Sequence, residues 1–333
     1  MGPAESHALM QRELDEQPVL MPEIAERLTA AAADMRPNPG RPVWAGGCGD
    51  SLFAAQALGF YARRAGYDLR PASAAEMLWD APIAEGDTVI GISISGSTKR
   101  TVEALEMASQ RGARTIAITL NAESALGEAA DDRLILPYTP ISRAIPHGLD
   151  YHVTLVALAA LFADVPAGQV GAVFSEATAP ALETARDVVG GLTPEARFSF
   201  LGGGSALGSA NFGAAKLHEA GGLDAWSFEA ENFAHGGLFV PRPGDLAVLC
   251  GSSGPADART AALAPELGRL GLHVIRAGLD RWTSPLDAAL AAGLQAQALC
   301  LAVAEARDLD VTDPGQGSEA AAVQKTLFDW RAL

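Results

Sequence analysis

The chain has 333 residues, 49% of them apolar and 19% charged, which is enough for two domains with sizeable hydrophobic cores. Its net charge of −16 argues against a nucleic-acid binder, because the phosphate backbone requires clustered Lys and Arg. The N-terminal segment is too acidic for a signal peptide, and the longest apolar run, 153–162, is too short to cross a bilayer. We therefore expect a cytoplasmic protein with no membrane partner. The three cysteines are too scattered for a disulfide framework or a metal site, so we expect no metal and no cofactor.

The first half of the chain alternates strand and helix patterns, which is typical of an α/β fold. Residues 1–35 form an amphipathic helical segment, which we expect Pro18 and Pro22 to break into pieces. A turn-rich stretch at 36–42 follows. The predicted strands after it are 43–51, 69–74, 87–92, 115–120 and 133–137, and the first of them runs into a glycine-rich turn. The predicted helices are 52–65, 76–79, 99–107, 124–129 and 147–164.

The second half of the chain repeats these elements from about residue 197 onward. Residues 198–205 repeat the strand and glycine turn, and 244–254 repeat 86–96, at an offset of about 157 residues in both comparisons. The helix patterns at 211–220 and 259–270 and the strand at 273–277 complete this set. We predict an α/β fold of two tandem, doubly wound parallel-sheet domains with flanking helices. The predicted divisions are an N-terminal helical segment at 1–35, a first domain at 36–170, a second domain at 185–310 and a C-terminal tail at 311–333.

A serine-rich loop follows the predicted strand at 87–92 and precedes a helix. Ser93, Ser95, Ser97 and Thr98 place four hydroxyls within six residues. Backbone N–H groups and the positive end of a helix dipole converge at such a position. A helix cap, which is the alternative interpretation, needs only one hydroxyl. The Gly-Lys-Ser/Thr ending of a P-loop is missing. We predict that this loop binds a small anion such as a phosphate monoester.

The second half carries ionisable residues where the first half has none. Lys216 and Glu219 are three residues apart on a predicted helix, so they share a face. A surface ion pair is the alternative, but the surrounding helix residues are small and apolar, which indicates burial. His235 closes an acid-rich stretch that contains Glu231, although a structural histidine remains the alternative. Because ligands bind beyond the carboxyl ends of parallel strands, we expect these groups to meet the serine loop at a cleft between the two domains.

Several motifs resemble the sugar isomerase (SIS) domain family. They are Glu13-Leu-Asp-Glu-Gln-Pro18 for the family's Glu-Ile-x-Glu-Gln-Pro leader, Cys48-Gly-Asp-Ser51 for its Cys-Gly-Thr-Ser turn, Ser93-Ile-Ser-Gly-Ser-Thr98 for its Ser-Gln-Ser-Gly-Glu-Thr phosphate loop, Lys216-Leu-His-Glu219 for Lys-Leu-Lys-Glu, Ala234-His-Gly236 for Lys-His-Gly, and Asp310-Val-Thr-Asp-Pro314 for the Asp-x-Asp-x-Pro tail before a C-terminal lysine. The resemblance spans nearly the whole chain. It is strongest to the isomerase half of glutamine–fructose-6-phosphate aminotransferase, to sugar-phosphate deaminases and to fructosamine-6-phosphate deglycases.

The resemblance implies two flavodoxin-like SIS domains that act on a 6-phosphosugar as a homodimer with a shared active site and with the tail over that site. It assigns the phosphate to Ser51, Ser93, Ser95 and Thr98. It assigns the C1/C2 proton transfer to Glu219, with Lys216 assisting at the substrate oxygens. It assigns ring opening to His235, often from the neighbouring subunit, and makes Lys325 the tail lysine. It also implies that Cys48, Gly49, Ser97, Glu231 and Asn232 line the sugar.

The departures from the family pattern concern residues that line the sugar. The family glutamate three residues before the histidine is Asn232, the loop glutamine is Ile94, and Glu319 occupies the position matched to the tail lysine. The sugar can therefore differ from fructose 6-phosphate. With no glutaminase half, we expect no glutamine-derived ammonia within this chain.

From these observations we predict an enzyme of the glucosamine-6-phosphate deaminase/isomerase type. Its partner is a small phosphosugar, and it uses no cofactor. The alternatives are a fructosamine-6-phosphate deglycase, a non-catalytic sugar-phosphate regulator, and a nucleotide-binding protein that uses the glycine turns. The last is disfavoured because the full GxGxxG spacing is absent.

Overall fold

The computed structural model describes residues 1–312 and 319–330. Within these residues all strand pairs are parallel, and the strands form two separate sheets. The strands are β1 Pro42–Gly47, β2 Asp68–Pro71, β3 Thr88–Ile92, β4 Arg114–Thr119, β5 Asp132–Ile135, β6 Phe198–Gly202, β7 Ala225–Glu229, β8 Leu246–Cys250 and β9 His273–Ala277.

The two sheets share one winding order. The first sheet has the order β2-β1-β3-β4-β5, and the second has the order β7-β6-β8-β9. In each sheet the first strand in the chain pairs on one side with the second and on the other with the third, so the winding reverses at that strand. Gly47 lies opposite Ile92, and Gly202 lies opposite Cys250, so the carboxyl ends of these neighbouring strands are level. The predicted α/β class with parallel sheets is confirmed.

Helices cover both sheets and connect them. They are α1 Pro3–Ala32, α2 Asp50–Ala57, α3 Gly59–Arg64, α4 Ala74–Trp79, α5 Lys99–Gln110, α6 Ala125–Glu128, α7 Leu149–Ala160, α8 Ala167–Val189, α9 Ala206–Gly221, α10 Ala230–Ala234, α11 Asp257–Ala261, α12 Leu263–Arg269, α13 Pro285–Ala306 and α14 Glu319–Asp329. α2 packs on β1, α9 packs on β6, and α2 and α9 pack on each other. This helix pair therefore joins the two halves of the molecule.

The centre of the molecule is helical. Every residue of α13 from Pro285 to Ala304 is buried, and every residue of α7 is buried. Among the described residues, α13 alone is long and apolar enough to cross a membrane, yet its apolar stretch is buried inside the protein against α8, α9 and α7. Its apolar surface is therefore used in the core.

The prediction that Pro18 and Pro22 break the N-terminal segment is wrong, because α1 is continuous from Pro3 to Ala32. Each proline removes one backbone hydrogen bond, which costs about 3 kcal/mol in an isolated helix. Burial offsets this cost, since α1 packs its buried stripe against α7, α8 and α13. Leu14, Ile24 and Leu28 belong to this stripe, and they are fully or almost fully buried.

Several predicted boundaries also differ from the structure. The helix predicted at 52–65 divides at Leu58 into α2 and α3, and the helix predicted at 259–270 divides into α11 and α12. No elements were predicted where β7, α8 and α13 lie. α13 is apolar all round, so it lacks the amphipathic period on which a helix assignment depends.

Candidate functional site

The serine loop connects β3 to α5. Ser93 Oγ lies 2.9 Å from Thr98 Oγ1, and Ser95 Oγ lies 2.8 Å from Ser97 Oγ. The side chain of Thr98 makes no cap hydrogen bond to α5, although it occupies the N-cap position. The four hydroxyls thus bond in pairs at the positive end of a 12-residue helix, which is a favourable place for an anion.

Gly96 gives this loop its shape. Its φ is +68°, and a Cβ at this position would lie 2.0 Å from Ser124 Oγ. Only glycine allows both the left-handed backbone and the close approach to the next loop. The glycine therefore holds the serines in one tight turn.

A second turn lies beside the serine loop, because β1 pairs with β3. β1 ends at Gly47, and Gly49 turns the chain with a φ of +58° into α2, which begins at Asp50. This turn places Ser51 next to Ser93 and Thr98 on one cavity wall, and it directs Asp50 toward the second half of the chain.

Lys216 on α9 faces two carboxylates. Its Nζ donates to Asp50 Oδ2 at 2.7 Å and to Glu219 Oε2 at 2.6 Å, and its side chain is only 3% exposed. Burial alone lowers the pKa of Lys216, but Asp50 and Glu219 together raise the pKa above its ordinary value. Lys216 therefore remains an ammonium ion that joins the two halves of the molecule.

Glu219 is the most exposed member of this cluster. Its side chain is 46% exposed, and it lines the cavity. Desolvation raises the pKa of Glu219, the Lys216 ammonium lowers it, and the neighbouring Asp50 carboxylate raises it again, with a net shift upward. A carboxyl group with a raised pKa can both accept and return a proton near neutral pH.

The start of α7 forms the third wall. Tyr138 Oη donates to Asp150 Oδ1, and Arg143 Nη1 lies 3.6 Å from Asp150 Oδ2. Burial and the adjacent Asp150 carboxylate raise the pKa of Tyr138, so this phenol stays protonated. His147, in the segment between Arg143 and α7, faces the same cavity.

These walls enclose a cleft of about 490 Å³. Its lining residues are Cys48, Gly49, Asp50, Ser51, Ser93, Ile94, Ser95, Thr98, Arg143, His147, Asp150, Tyr151, Thr154, Glu219 and Phe328. An adjoining cavity of about 400 Å³ shares Arg143, His147 and Glu219 with the cleft. A ligand that fills the cleft would be bound by hydroxyls on one side and by titratable groups on the other.

Seven of the predicted site residues line this one cleft: Cys48, Gly49, Ser51, Ser93, Ser95, Thr98 and Glu219. They come from both halves of the chain. Ser97 is not among the lining residues, and it meets the site through its hydrogen bond with Ser95. Lys216 does not line the cleft either, and it meets the site through Asp50 and Glu219 rather than by facing a substrate oxygen.

The structure of the single chain does not bring the other predicted residues to this cleft. His235 is 76% exposed and lies 3.5 Å from Glu231, whose second oxygen accepts from Arg259. Asn232 is exposed in the same short helix, α10. Lys325 is exposed on α14, although Phe328 of that helix borders the cleft. Asp313 and Pro314 of the tail motif lie outside the described residues.

Sequence reasoning missed Asp50, Arg143 and His147. Asp50 stands at the variable position of the Cys-Gly-x-Ser turn, and its carboxylate could have been noted as a partner for Lys216. His147 lies at the start of the helix predicted at 147–164, and it borders both cavities. No sequence signal pairs His147 with Glu219 across 72 residues.

The described residues contain no group of three or more His, Cys, Asp or Glu side chains arranged to hold a metal ion. Cys48 at the rim of the cleft is a free thiol whose pKa is raised by burial, so it stays protonated at neutral pH. The titratable groups of the cleft itself are thus the ones to consider for chemistry.

The family model of the SIS domain matches residues 43–163, from β1 to just beyond α7. The matched stretch holds the serine loop. In a curated relative, N-acetylmuramic acid 6-phosphate etherase of Symbiobacterium thermophilum, 72 residues are 44% identical, covering 22% of this chain and 23% of the etherase. The match thus spans less than a quarter of that relative.

Solved structures match over nearly the whole chain. Glucosamine-6-phosphate deaminase from Thermotoga maritima superposes with a TM-score of 0.76 at 21% identity, over 92% of this chain and 98% of that one. Tagatose-6-phosphate ketose/aldose isomerase from Escherichia coli gives a TM-score of 0.79 at 20% identity, over 92% and 95%. The chain therefore has the fold of phosphosugar isomerases.

Proposed function

We propose that the protein is an enzyme that moves a proton between C1 and C2 of a 6-phosphorylated sugar. The observation that carries this proposal is the cleft itself, in which Ser51, Ser93, Ser95 and Thr98 face Glu219 from the other half of the chain. Neutral hydroxyls and a helix N-terminus suit a phosphate, and a carboxylate with a raised pKa suits proton transfer.

In this proposal Glu219 takes the proton from one sugar carbon and returns it to the neighbouring carbon. Lys216 does not touch the sugar. Its positive charge is shared between Asp50 and Glu219, and it thereby keeps the pKa of Glu219 from rising further. Asp50 shares the lysine with Glu219, so both halves of the molecule set the basicity of the acting carboxylate.

Glucosamine 6-phosphate is the first substrate to test, with deamination or isomerisation as the reaction. The fold likeness to a glucosamine-6-phosphate deaminase supports this choice, and so do the motifs around Lys216 and Glu219. A fructosamine-6-phosphate deglycase is the related alternative, and it is distinguished by release of a free amine.

A second activity follows from the short match to N-acetylmuramic acid 6-phosphate etherase. The name of that relative denotes ether cleavage on a 6-phosphorylated amino sugar, so N-acetylmuramic acid 6-phosphate belongs in the same screen. Removal of a proton beside a carbonyl by Glu219 would also begin that reaction, which is why the cleft is compatible with both activities.

The experiment is a screen of purified protein against hexose and hexosamine 6-phosphates and N-acetylmuramic acid 6-phosphate. The readouts are ammonia, amine, isomer and released acid. We expect turnover of one compound, which Glu219→Gln abolishes without abolishing binding. Glu266→Gln, on an exposed carboxylate of α12 outside the cleft, is the matched control. Binding without turnover in the wild-type protein would instead indicate a sugar-phosphate regulator.

We further propose that the second sheet is a second SIS domain and that two chains form a homodimer with shared sites. The common winding order of the two sheets supports the first point. Exposed Phe239 and Val240, next to the exposed His235, support an interface there. We also place this enzyme in the cytoplasm, because charged sugar phosphates do not cross a bilayer unaided.

Mixing two inactive variants tests the shared site. The His235→Ala and Glu219→Gln chains are co-refolded in equal amounts, so that half of all dimers are heterodimers. Suppose that His235 of the partner subunit completes the cleft. Each heterodimer has one intact site, so about a quarter of wild-type activity returns. No recovered activity would show that His235 does not act across an interface.

A further inference from the structure

Glu13 is a buried carboxylate that the proposed proton transfer does not use. It lies on α1, its side chain is 1% exposed, and it sits directly behind the wall of the cleft that carries His147. Its Oε2 accepts from Gly148 N at 2.8 Å and from Gln297 Nε2 at 2.7 Å. Its Oε1 is buried and has no hydrogen-bond partner.

His147 Nδ1 is the other unpartnered polar atom at this place. It is buried without a partner, and it lies 4.0 Å from Glu13 Oε1. A buried polar atom left unsatisfied costs about 1–3 kcal/mol, so two complementary ones side by side form a natural pair. A small rotation of the imidazole would let Nδ1–H donate to Oε1.

A network of buried amide side chains lies next to Glu13. Gln17 Nε2 donates to Gln297 Oε1 at 2.8 Å, which fixes the Gln297 amide with its nitrogen toward Glu13. The Gln17 Oε1 atom is in turn bonded to His152 Nδ1. This buried network from α1, α13 and α7 holds Glu13 in place, with Oε1 4.0 Å from His147 Nδ1.

We propose that His147 transfers the oxygen-bound proton in the same reaction, with Glu13 as the residue that positions it. The inference rests on the proposed C1/C2 proton transfer. A carboxylate behind Nδ1 selects the tautomer that carries its proton there, which leaves the Nε2 lone pair for the cleft. His147 and Glu219 border the same two cavities, so both can reach one bound sugar.

The step balances as follows. Glu219 removes the proton from C2 of the open-chain sugar, the C–H electron pair forms the C1–C2 double bond, and negative charge collects on O1. His147 Nε2 takes the proton from O2 and passes it to O1. Glu219 then returns its proton to C1, and the electrons on O2 form the new carbonyl at C2. Both protein groups end as they began, and for an amino sugar the nitrogen at C2 takes the place of O2.

The charges around the pair are consistent with a neutral imidazole. Burial lowers the pKa of His147, with Asp150 and Asp50 opposing that shift and Lys216 and Arg143 reinforcing it. Burial raises the pKa of Glu13 to about 7, so the carboxylate form that accepts from Nδ1–H is present at neutral pH. A neutral imidazole can take and give a proton without first losing one to solvent.

The test uses the full-length protein and the sugar phosphate that the wild-type enzyme turns over in the screen. We expect His147→Ala to lower kcat by about 10²–10⁴-fold with KM nearly unchanged, and free imidazole to restore part of the loss. We expect Glu13→Gln to lower kcat less and to shift the pH profile, and Glu13→Asp to recover part of it. His273→Ala, at a histidine of β9 outside the cleft, is the control and should keep wild-type activity.

A second measurement needs no substrate. In ¹⁵N NMR spectra of the wild-type protein, His147 should be the tautomer protonated at Nδ1, and Glu13→Gln should move that signal. An Nε2-protonated His147, or an imidazole-insensitive His147→Ala variant, would overturn the role of the pair while leaving the activity of Glu219 intact. A wild-type enzyme that turns over none of the sugar phosphates overturns the proposed function itself, and the NMR result then reports on the pair alone.

Discussion

Replacing Gly208 by alanine tests the packing that joins the two halves of the molecule. Gly208 lies on α9 where that helix crosses α2, and an added Cβ would lie 2.3 Å from Ala57 N and 2.4 Å from Phe53 O. Both are backbone atoms, so no side-chain rotation can relieve the contact. The helices must part by about 1 Å to reach ordinary van der Waals separation.

The expected effect follows from two opposing terms. Overpacking of this kind costs about 1–3 kcal/mol, and the better helix propensity of alanine returns about 1 kcal/mol. Because the contact is with backbone, we expect Gly208→Ala to lower the free energy of unfolding by about 2 kcal/mol, measured by urea denaturation. Turnover should fall as well, because parting α2 from α9 draws Asp50 away from Lys216.

Gly268→Ala is the matched control, since Gly268 also lies in a helix and an added Cβ there meets nothing within 4 Å. It should raise the free energy of unfolding by up to about 1 kcal/mol. If Gly208→Ala unfolds at the same urea concentration as Gly268→Ala, then α2 and α9 do not pack this closely and do not hold the site together.

Three further outcomes are expected. Ser93→Ala should weaken binding of the sugar phosphate by about 10–100-fold in calorimetry, because one hydrogen bond to a charged group is lost. Ser109→Ala, at the far end of α5, should leave the affinity unchanged. Equal affinities of the two variants would contradict the assignment of the phosphate to the serine loop. Burial lowers the pKa of His152 from 6.5 to about 3, so the unfolded chain binds a proton between these pH values that the folded protein does not, and stability is lost as pH falls through that range. Asn cannot titrate in this range, so the free energy of unfolding of wild type should approach that of His152→Asn by up to about 1.4 kcal/mol per pH unit below pH 6.5, as measured by urea titrations. If the free energies of unfolding of the two proteins change in parallel with pH, the lowered pKa of His152 is refuted. Trp79→Ala should speed tryptic cleavage of the C-terminal helix by about fivefold, because the Trp79 and Trp330 rings lie 6.2 Å apart, and an unchanged rate would show that this contact does not hold the helix.

The local part of the site could be predicted from sequence because its signals are local. An apolar run followed by serines and an amphipathic pattern located β3, the loop and α5, with every predicted boundary within three residues of the observed one. The repeated strand-and-glycine turns similarly gave β1, β6 and β8. β7 was missed because Ala225–Glu229 is an edge strand, mostly half-buried, without a continuous apolar run.

The tertiary part of the site could not be predicted, because its pairs are distant in the chain. Lys216 meets Asp50 across 166 residues, and no periodicity connects the two. The same holds for Glu13, whose partners Gly148 and Gln297 lie 135 and 284 residues away. A sequence pattern can place a carboxylate on a helix face, but only packing decides which neighbour it meets.

If the serine loop binds a phosphate as proposed, the charge balance of the cleft explains why its donors are neutral. Lys216 is already shared by two carboxylates, so the Asp50–Lys216–Glu219 cluster has a net charge of −1 and offers no attraction to a phosphate. A lysine or arginine in the serine loop would bind the phosphate, but it would also lower the pKa of Glu219 by its positive charge. Hydroxyls and the N-terminus of α5 would instead hold the proposed phosphate with partial charges that fade over a few ångströms. Binding and proton transfer can thus share one cleft of about 490 Å³ while Glu219 keeps its raised pKa.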